Sequence, residues 1–524
     1  MKRTTISLIA VTTALAAVTG FASLTVPDGT EPTRGDLALP LPVERSSLLC
    51  PAPSSSEIAE TRYTSFTPVR KQSGGQKDAG APADSAELRP AAAVLDDTDA
   101  APAKDGKKKD ADKEADKDGA KKPAPDKPVV AVKEPGKPVS AETDGGEAPA
   151  LVGTATGSLA PGWTTQQTTS VTAGSGRGLL GVSCTGADTD FWFPGASLAE
   201  GRQDYVHLTN PDETGAVADI ELYGKDGALR TTLTEGIPVP AGSSVPVLLP
   251  TLTADKADEV TVHVTTRTGR VGAVVRAADE DDGSDWLAAS ADPAGTVVLP
   301  GIPSDATSVQ LVAFAPGDDD AALKVQLAGP TGTITPAGHE LLNVKSGMTA
   351  SVDLADIARG EAGSLILSPA EEGRATPVVA ALRVVRGKGE EKEIAFVPAA
   401  APVGERATAA DNRAKGSVLS LTAPGKAAEV RVTASAGTEG GAQAVKTYSV
   451  KAGTTLAITP LVPAGLKGSY AITVETLSGG PVHASRALEI ADDGIPMFTI
   501  QNLSDDRGTV VVPEAEQDLS VLDD

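Results

Sequence analysis

The stretch of sequence that decides the fold class reads Val217-Ala218-Asp219-Ile220-Glu221-Leu222-Tyr223. Ala218, Ile220 and Leu222 are apolar, and they alternate with the other four residues of the stretch. A period of two is typical of a β-strand whose two faces lie in different surroundings. The segments 261–264 and 471–474 show the same alternation. The sequence therefore predicts short antiparallel strands.

Three landmarks recur beyond residue 200 at nearly constant spacing. The first is a strand-like run that ends in a proline turn, and successive prolines lie 105 and 108 residues apart. The second is a turn glycine 31, 31 and 29 residues after each proline, and the third is an apolar strand entered 60, 62 and 58 residues after it. These positions are Pro211, Pro316 and Pro424, then Gly242, Gly347 and Gly453, and then Val271, Val378 and Val482.

Repeats of this length, with short strands and frequent turns, indicate an all-β chain of tandem antiparallel Ig-like β-sandwiches. We expect repeat 1 at residues 203–300, repeat 2 at 301–400, and repeat 3 with the C-terminal strands at 401–524. Each repeat is expected to have a core of its own. A three-bladed propeller is the alternative, although a four-stranded blade needs only about 45 residues.

The N-terminus carries a membrane-targeting pattern. Lys2 and Arg3 precede an uncharged, mostly apolar run of 21 residues, Ile6 to Val26. Such a run just reaches the length that spans a bilayer. Residues 1–27 are therefore a signal anchor or a signal peptide. An anchor would leave a single-pass plasma-membrane protein with its C-terminal bulk outside, whereas cleavage after Ala22 would secrete the chain. In the first case the membrane is contacted through the N-terminal helix only.

The composition changes twice before the repeats begin. Residues 28–72 are predicted to be an extended segment with one strand, tied to a β cap at residues 149–202. Between them, residues 73–148 are rich in Lys, Asp, Ala and Pro and have no aromatic side chain. Such a composition buries too little apolar surface to offset the entropy of ordering. We therefore predict a disordered, charged linker at 73–148.

The chain has two cysteines, Cys50 and Cys184. An exported protein meets an oxidising environment, in which an isolated pair of thiols usually joins. Two thiols alone are a poor metal site. The sequence therefore predicts a disulfide bond that ties the extended segment to the cap.

An aromatic cluster has two interpretations. Phe191, Trp192 and Phe193 are consecutive, and Trp286 lies at the end of repeat 1. In a chain with 3% aromatic residues, such a cluster can be the local core of a domain. It can also be a glycan platform, because aromatic faces stack on sugar rings.

An acidic cluster is also open to two interpretations. Asp279, Asp281, Asp282 and Asp285 lie close together around Gly283. Clustered carboxylates with a glycine can form a weak calcium site between extracellular domains, although the spacing misses the EF-hand register. The alternative is a solvated, charged loop. No other cofactor is expected, and no other metal site is predicted.

Composition and motifs argue against several functions. A net charge of -24 repels the phosphates of nucleic acids. The four histidines lack zinc-site spacing, and no Gly-x-Ser-x-Gly motif occurs. Residues 176–181 match a dinucleotide fingerprint, but no helical period follows it. We therefore predict no catalytic residue and a protein that is not an enzyme.

The chain resembles an actinobacterial family of exported, membrane-anchored, β-rich envelope proteins of unknown function. The resemblance rests on Arg177-Gly178-Leu179-Leu180-Gly181-Val182-Ser183-Cys184, on Asp190-Phe191-Trp192-Phe193 and on Leu208-Thr209-Asn210-Pro211. It implies a topology and no activity.

These observations favour a non-enzymatic, extracytoplasmic scaffold or interaction protein. Its expected partner is an envelope protein or a cell-wall polymer. The alternative function is a cell-surface glycan-binding module.

Overall fold

The structure is a computed structural model that describes residues 38–69, 84–93, 127–232, 235–492 and 495–513. The predicted membrane segment at residues 1–27 and the Lys- and Asp-rich residues 94–126 lie outside this part of the chain. In the part that is described, no helix is long and apolar enough to cross a membrane.

The chain divides into two compact units. The smaller unit contains an antiparallel ribbon of two strands, β1 (Ala38–Pro42) and β39 (Thr509–Pro513). The larger unit, residues 43–508, contains eight sheets that form four β-sandwiches. Three short 3-10 turns, at Gly157–Leu159, Leu249–Thr251 and Gly389–Glu391, accompany the strands. The predicted all-β fold of tandem β-sandwiches is confirmed.

The first sandwich spans residues 45–183. Its sheets have the strand orders β10-β9-β3-β7 and β2-β8-β4-β6. The strands are β2 (Arg45–Cys50), β3 (Glu60–Phe66), β4 (Ser85–Pro90), β6 (Val130–Val132), β7 (Val139–Asp144), β8 (Leu151–Thr156), β9 (Thr164–Val171) and β10 (Gly178–Ser183).

This sandwich corrects two of the sequence predictions. The prediction of a disordered linker at 73–148 is wrong for β4, β6 and β7, because Leu88 and Val130 are buried in a core with Trp163. Their apolar residues are too few to form a core alone, but the flanking sheets supply the missing partners. The predicted cap at 149–202 is also wrong, because its residues complete the first sandwich and begin the second.

The second sandwich spans residues 190–287. Its strands are β11 (Asp190–Ala196), β12 (Tyr205–Thr209), β13 (Ala216–Gly224), β14 (Gly227–Ala228), β15 (Ile237–Val239), β16 (Ser243–Leu248), β17 (Val260–Thr268), β18 (Gly272–Asp279) and β19 (Gly283–Leu287). One sheet has the order β11-β17-β13-β14, and β15 also pairs with β13. The other has the order β19-β18-β12-β16, and β5 (Ala92–Ala93) adds to its edge.

The third and fourth sandwiches repeat this strand order. The third consists of β20 (Val297–Ile302), β21 (Ser308–Phe314), β22 (Ala321–Ala328), β23 (Thr333–Ile334), β24 (Leu341–Val344), β25 (Thr349–Asp353), β26 (Gly363–Pro369), β27 (Val379–Arg386) and β28 (Glu393–Pro398). The fourth consists of β29 (Arg406–Asn412), β30 (Ser417–Ala423), β31 (Ala428–Gly437), β32 (Gly440–Ala442), β33 (Ala444–Val450), β34 (Thr454–Ile458), β35 (Ala464–Lys467), β36 (Tyr470–Gly479), β37 (His483–Asp492) and β38 (Ile495–Leu503).

The four sandwiches pack against one another in a closed cycle. The last strand of each sandwich lies at the edge of its sheet, and these four edge strands are β10, β19, β28 and β38. Strand β10 packs on β19, β19 on β28, β28 on β38, and β38 on β10. We call these four strands the hub. An uncovered edge strand invites pairing with other chains, and here each edge is covered by its neighbours in the hub.

Each repeat has a core of its own, as expected, but these cores are not independent, because hub residues enter the cores of neighbouring sandwiches. Phe396 of the third sandwich belongs to the core of the second, and Phe498 of the fourth belongs to the core of the third. Trp286 of the second packs with Leu180 of the first. A string of independent domains would need small, polar interfaces, whereas these interfaces are apolar.

Candidate functional site

The predicted disulfide bond is confirmed between Cys50 at the end of β2 and Cys184 just after β10. Their Cα atoms lie 4.6 Å apart across a sequence separation of 134 residues. Next to the bond, the amide of Leu49 donates to the carbonyl of Thr185 at 2.7 Å. The bond therefore fixes the first strand of the first sandwich to the strand that enters the hub.

The four aromatic residues predicted as a glycan platform do not come together. Strand alternation turns Phe191 and Phe193 into the core of the second sandwich, where they are 8% and 0% exposed. Trp286 is 2% exposed and packs between the first and second sandwiches. Trp192 alone is half-buried on the outer face of its sheet. Three of the four rings are therefore core residues.

Trp192 lies in an aromatic cluster at the junction with the third sandwich. Its ring stacks on His263 at 3.6 Å and on Phe314 of β21 at 5.3 Å between centroids. His263 contacts Glu221 through Nδ1 at 3.1 Å and Asp190 through Nε2 at 3.4 Å. The sequence did not indicate this aromatic cluster, because Trp192, His263 and Phe314 lie on three different strands and meet only in the folded structure.

Two of the four acidic residues predicted as a calcium loop, Asp279 and Asp282, are bound to basic side chains of the third sandwich. Arg383 donates to Asp279 at 3.1 Å and also to Asp282, and Lys392 donates to Asp282 at 2.8 Å. Burial alone would raise the pKa of Asp282, but these bonds lower it below its ordinary value. Asp281 is exposed, and Asp285 lies apart from them in the hub. The loop is thus an ion-pair junction between two sandwiches.

Two open clefts flank Arg383. The first, of about 370 Å³, is bordered by Glu200, Arg202 and Glu280, and the second, of about 350 Å³, by Thr307 and Lys388. Within the described ranges, no group of three or more His, Cys, Asp or Glu side chains is arranged to hold a metal ion.

The histidines serve packing and local hydrogen bonding. His207 is buried against the edge of Trp286, with 5.2 Å between centroids, and burial lowers its pKa to about 3. His483 shares a 2.9 Å hydrogen bond between Nδ1 and the carbonyl of Ala400. Neither ring has the arrangement of a base oriented beside a nucleophile.

The hub is the site where the four sandwiches meet. Strand β10 contacts β19 and β38, and the residue just before it reaches β28. The amide of Gly181 donates to Oδ1 of Asp285 on β19 at 2.9 Å, and Thr499 on β38 donates to the same oxygen at 3.2 Å. Arg177, just before β10, forms an ion pair with Glu393 on β28 at 3.1 Å. The glycine-rich motif that resembled a dinucleotide fingerprint is therefore a structural contact.

Glycines allow these strands to approach closely. A Cβ atom on Gly178 would lie 2.3 Å from the carbonyl oxygen of Ser284 on β19, and one on Gly181 would lie 2.4 Å from Cγ2 of Thr499. No real Cβ atom tolerates such distances. The spacing of the two glycines therefore reflects two close contacts of one strand.

Two carboxyl groups of the hub have raised pKa values. Burial raises the pKa of Asp285 well above its ordinary value, against the bonds from Gly181 and Thr499. Burial also raises the pKa of Glu393 to about 7, and Arg177 opposes the shift. Sequence reasoning assigned Asp285 to a calcium loop and did not select Glu393.

Residues 139–461 match a family of unknown function, DUF5719. The chain belongs to this family. No curated protein matches the chain. The DUF5719 match includes the hub strands β10, β19 and β28, and it ends before β38. It also contains Cys184 but not Cys50.

The part of the chain beyond the DUF5719 match closes the cycle onto the first sandwich. Arg486 of β37 donates to Oε1 of Gln166 on β9 at 2.7 Å, and Gln166 donates to Gln501 of β38 at 3.2 Å. Gln166 also accepts the amide of Asp411 at 2.9 Å, and Asp411 accepts the hydroxyl of Thr168 at 2.9 Å. These buried bonds join the first and last sandwiches, so a specific polar pairing accompanies the apolar hub.

Proposed function

We propose that the chain is a non-enzymatic, exported protein of the actinobacterial cell envelope, anchored by its N-terminal segment, and that it acts as an extracytoplasmic scaffold. The observation that supports this proposal is the hub. Four sandwiches with a common set of edge strands hold their outer sheets in fixed relative positions. A rigid body of this kind presents several surfaces to its partners without moving parts.

Three features of the chain support export. The run from Ile6 to Val26 has the length of a membrane anchor. A disulfide bond persists in oxidising compartments. The net charge of -24 favours solubility outside the membrane and disfavours binding to nucleic acids.

The side chains with catalytic potential support a non-enzymatic role. Asp279 and Asp282 form ion pairs, Asp285 accepts hydrogen bonds inside the hub, and His207 lies in a core. These groups stabilise interfaces between sandwiches. No cofactor is part of the proposal.

We propose that the partner is an envelope protein or a cell-wall polymer. Exposed apolar side chains occur on the outer strands of the third and fourth sandwiches. Leu341 is 57% exposed, Val445 54% and Leu477 46%. A protein partner can bury such exposed apolar side chains. These positions are therefore the first candidates for contact with a partner.

Photo-crosslinking in intact cells tests the scaffold proposal. A crosslinking amino acid is placed at Leu341, at Val445 and, as a matched exposed control, at Asp318. We expect one envelope component to be captured from the first two positions and not from the control. Equal capture from all three positions, or release of a chemically altered wall fragment by the purified protein, would contradict it.

Protease accessibility tests the topology separately. A tag after Asp524 is expected to be cleaved on intact protoplasts, whereas a tag before Lys2 is expected to be protected. Release of a form that begins near Ser23 would replace the anchor with secretion after cleavage.

The alternative, a glycan-binding module, rests on Trp192. A glycan array with the wild-type protein and the Trp192→Ala variant tests it. Binding that the variant loses would favour the glycan function over the scaffold.

A further inference from the structure

Glu393 is an unusual residue for the place it occupies. Its side chain is 0% exposed, and within the described part of the chain its ion-pair partner is Nε of Arg177 at 3.1 Å. Among the residues that the structure describes, neither of its carboxyl oxygens accepts a well-formed hydrogen bond. A buried carboxylate with so few donors is costly when it is ionised, because a low-dielectric interior replaces its water shell.

A second buried carboxyl group faces it from the second sandwich. Asp285 is 0% exposed, and its Oδ2 atom lacks a hydrogen-bond donor within the described part of the chain. Burial is the main cause that raises the pKa of Asp285, and the charge of Glu393 adds to it. Glu393 lies beside the strand that carries Asp285, because a Cβ atom on Gly283 of β19 would be 3.1 Å from Oε2 of Glu393. Ionisation of both would place two like charges inside the hub.

The cations near these groups are mostly bound elsewhere. They are Arg177 before β10, Arg386 on β27, Arg486 on β37 and Lys392 before β28. Arg386, opposite Glu393 in the sheet register, donates to Asp305 at 2.5 Å and to Glu489 at 2.8 Å. Lys392 donates to Asp282. Arg486 donates to Gln166 and lies within electrostatic reach of both Asp411, which Arg413 also pairs with, and Asp285. Arg486 is therefore a counter-charge for Asp285 and not for Glu393. Arg177 is therefore the direct counter-charge of Glu393.

We propose that Glu393 is a proton-controlled contact of the hub: when its carboxyl group is protonated the hub is tightly closed, and when it ionises the packing of β28 on β19 and on the segment that leads into β10 loosens. The contact joins the third sandwich to the first and second, so its loosening would change how firmly the scaffold holds its outer sheets. This inference does not depend on the identity of a partner.

The direction of the effect follows from proton linkage. Burial raises the pKa of Glu393 to about 7, so the folded state binds this proton more tightly than the unfolded state does. Its stabilising contribution is fully present below the ordinary pKa of glutamate and is lost as the pH rises through about 7. Between pH 6 and pH 8, such a shift changes the opening equilibrium of the hub by about tenfold.

Hydrogen exchange of the full chain, corrected for intrinsic exchange rates, measures this opening strand by strand. We expect the amides of β10 and β28 to open about tenfold more at pH 8 than at pH 6 in the wild type. The Glu393→Gln variant is expected to lose the part of this dependence that Glu393 supplies, and any slope that remains belongs to Asp285. Two matched controls are Glu390→Gln, an exposed neighbour, and Glu259→Gln, because burial raises the pKa of Glu259 to about 7 outside the hub. Both controls are expected to keep the dependence at β10 and β28.

Hub amides that show the same pH dependence in Glu393→Gln as in the wild type would overturn the proposal. Loss of the dependence in Glu259→Gln instead would also overturn it. If the Glu393→Gln variant fails to fold, the pH dependence of hydrogen exchange in the wild type still tests the proposal. Protection at β10 and β28 that stays constant from pH 5.5 to pH 8.5 would contradict a proton-controlled contact.

Discussion

Replacement of Gly178 by alanine should separate β10 from β19. Gly178 has a φ of 150°, and an added Cβ atom would lie 2.3 Å from the carbonyl oxygen and 3.1 Å from the amide nitrogen of Ser284. Both contacts are with backbone atoms, so no side-chain rotation relieves them. The two strands must move apart, and the bond from Gly181 to Asp285 moves with them.

The magnitude combines two costs. A backbone conformation that an L-residue rarely adopts costs about 1–3 kcal/mol. An additional methyl group in a closely packed interface costs about 1–3 kcal/mol more. We therefore expect Gly178→Ala to lower the free energy of unfolding by about 2–6 kcal/mol.

Urea unfolding of the full chain, followed by tryptophan fluorescence, measures this loss. Gly176→Ala is the matched control, because a Cβ atom there meets nothing within 4 Å. The control is expected to stay within about 0.5 kcal/mol of the wild type. If Gly178→Ala is as stable as Gly176→Ala, β10 and β19 are not packed as described and the role of the hub is refuted.

Four further predictions follow from the same structure. Cys184→Ser should lower the free energy of unfolding by roughly 5 kcal/mol, the chain-entropy value for a separation of 134 residues. Two free thiols found by mass spectrometry of the oxidised wild type would contradict the bond. Val264→Ala should lower the free energy of unfolding by about 1–3 kcal/mol, whereas the exposed Val445→Ala control should change it by under about 0.5 kcal/mol. Urea unfolding compares the two variants, and equal losses would contradict the assignment of Val264 to the core. Calcium or a chelator should leave the melting temperature unchanged, because Asp282 is already bound to two basic side chains, and a calcium-dependent rise would restore the calcium hypothesis. Isolated residues 297–398 should not melt cooperatively in calorimetry, and a sharp transition would mean that this sandwich has a sufficient core of its own.

The strands of the three repeats could be predicted from the sequence, because their periodicity is local. Ala218, Ile220 and Leu222 alternate with exposed or half-buried neighbours, and all three lie in the core of the second sandwich. The disulfide could be predicted because two cysteines in a chain that is expected to be exported leave one pairing. Both arguments need only composition and short-range pattern.

The first sandwich was not predictable in the same way. Strand β6 has three residues, and its two valines alternate around one alanine. A strand this short is indistinguishable from an extended linker until the sheet beside it is known. The pairing of β4 with β8 joins residues on both sides of the charged stretch, and no local pattern encodes such a contact.

The hub residues were hidden for a different reason. Asp285 stands at the end of an acidic run, so its sequence neighbours suggest a solvated loop. In the structure it is buried and accepts hydrogen bonds from Gly181 and Thr499, which lie 104 and 214 residues away in the sequence. Glu393 and Trp286 likewise acquire their surroundings from other sandwiches. Residues whose partners are all distant carry no periodic signal of their own.

The scarcity of aromatic residues explains why the sandwiches share cores around a hub. The chain has 7 Phe and 3 Trp in 524 residues, so cores built from Ala, Val and Leu bury little area for each side chain. Three hub strands each place one aromatic ring against the preceding sandwich, and β10 places Leu179 against Leu488 and Met497 of the fourth. Each ring is then packed by two sandwiches instead of one, because it stands at an edge between them. Apolar burial grows with the area removed from water, so closure of the cycle stabilises all four sandwiches together. A set of sandwiches with weak individual cores is rigid only while that cycle is closed. The hub strands, and not the outer sheets, are therefore the part of the chain where single substitutions affect all four sandwiches.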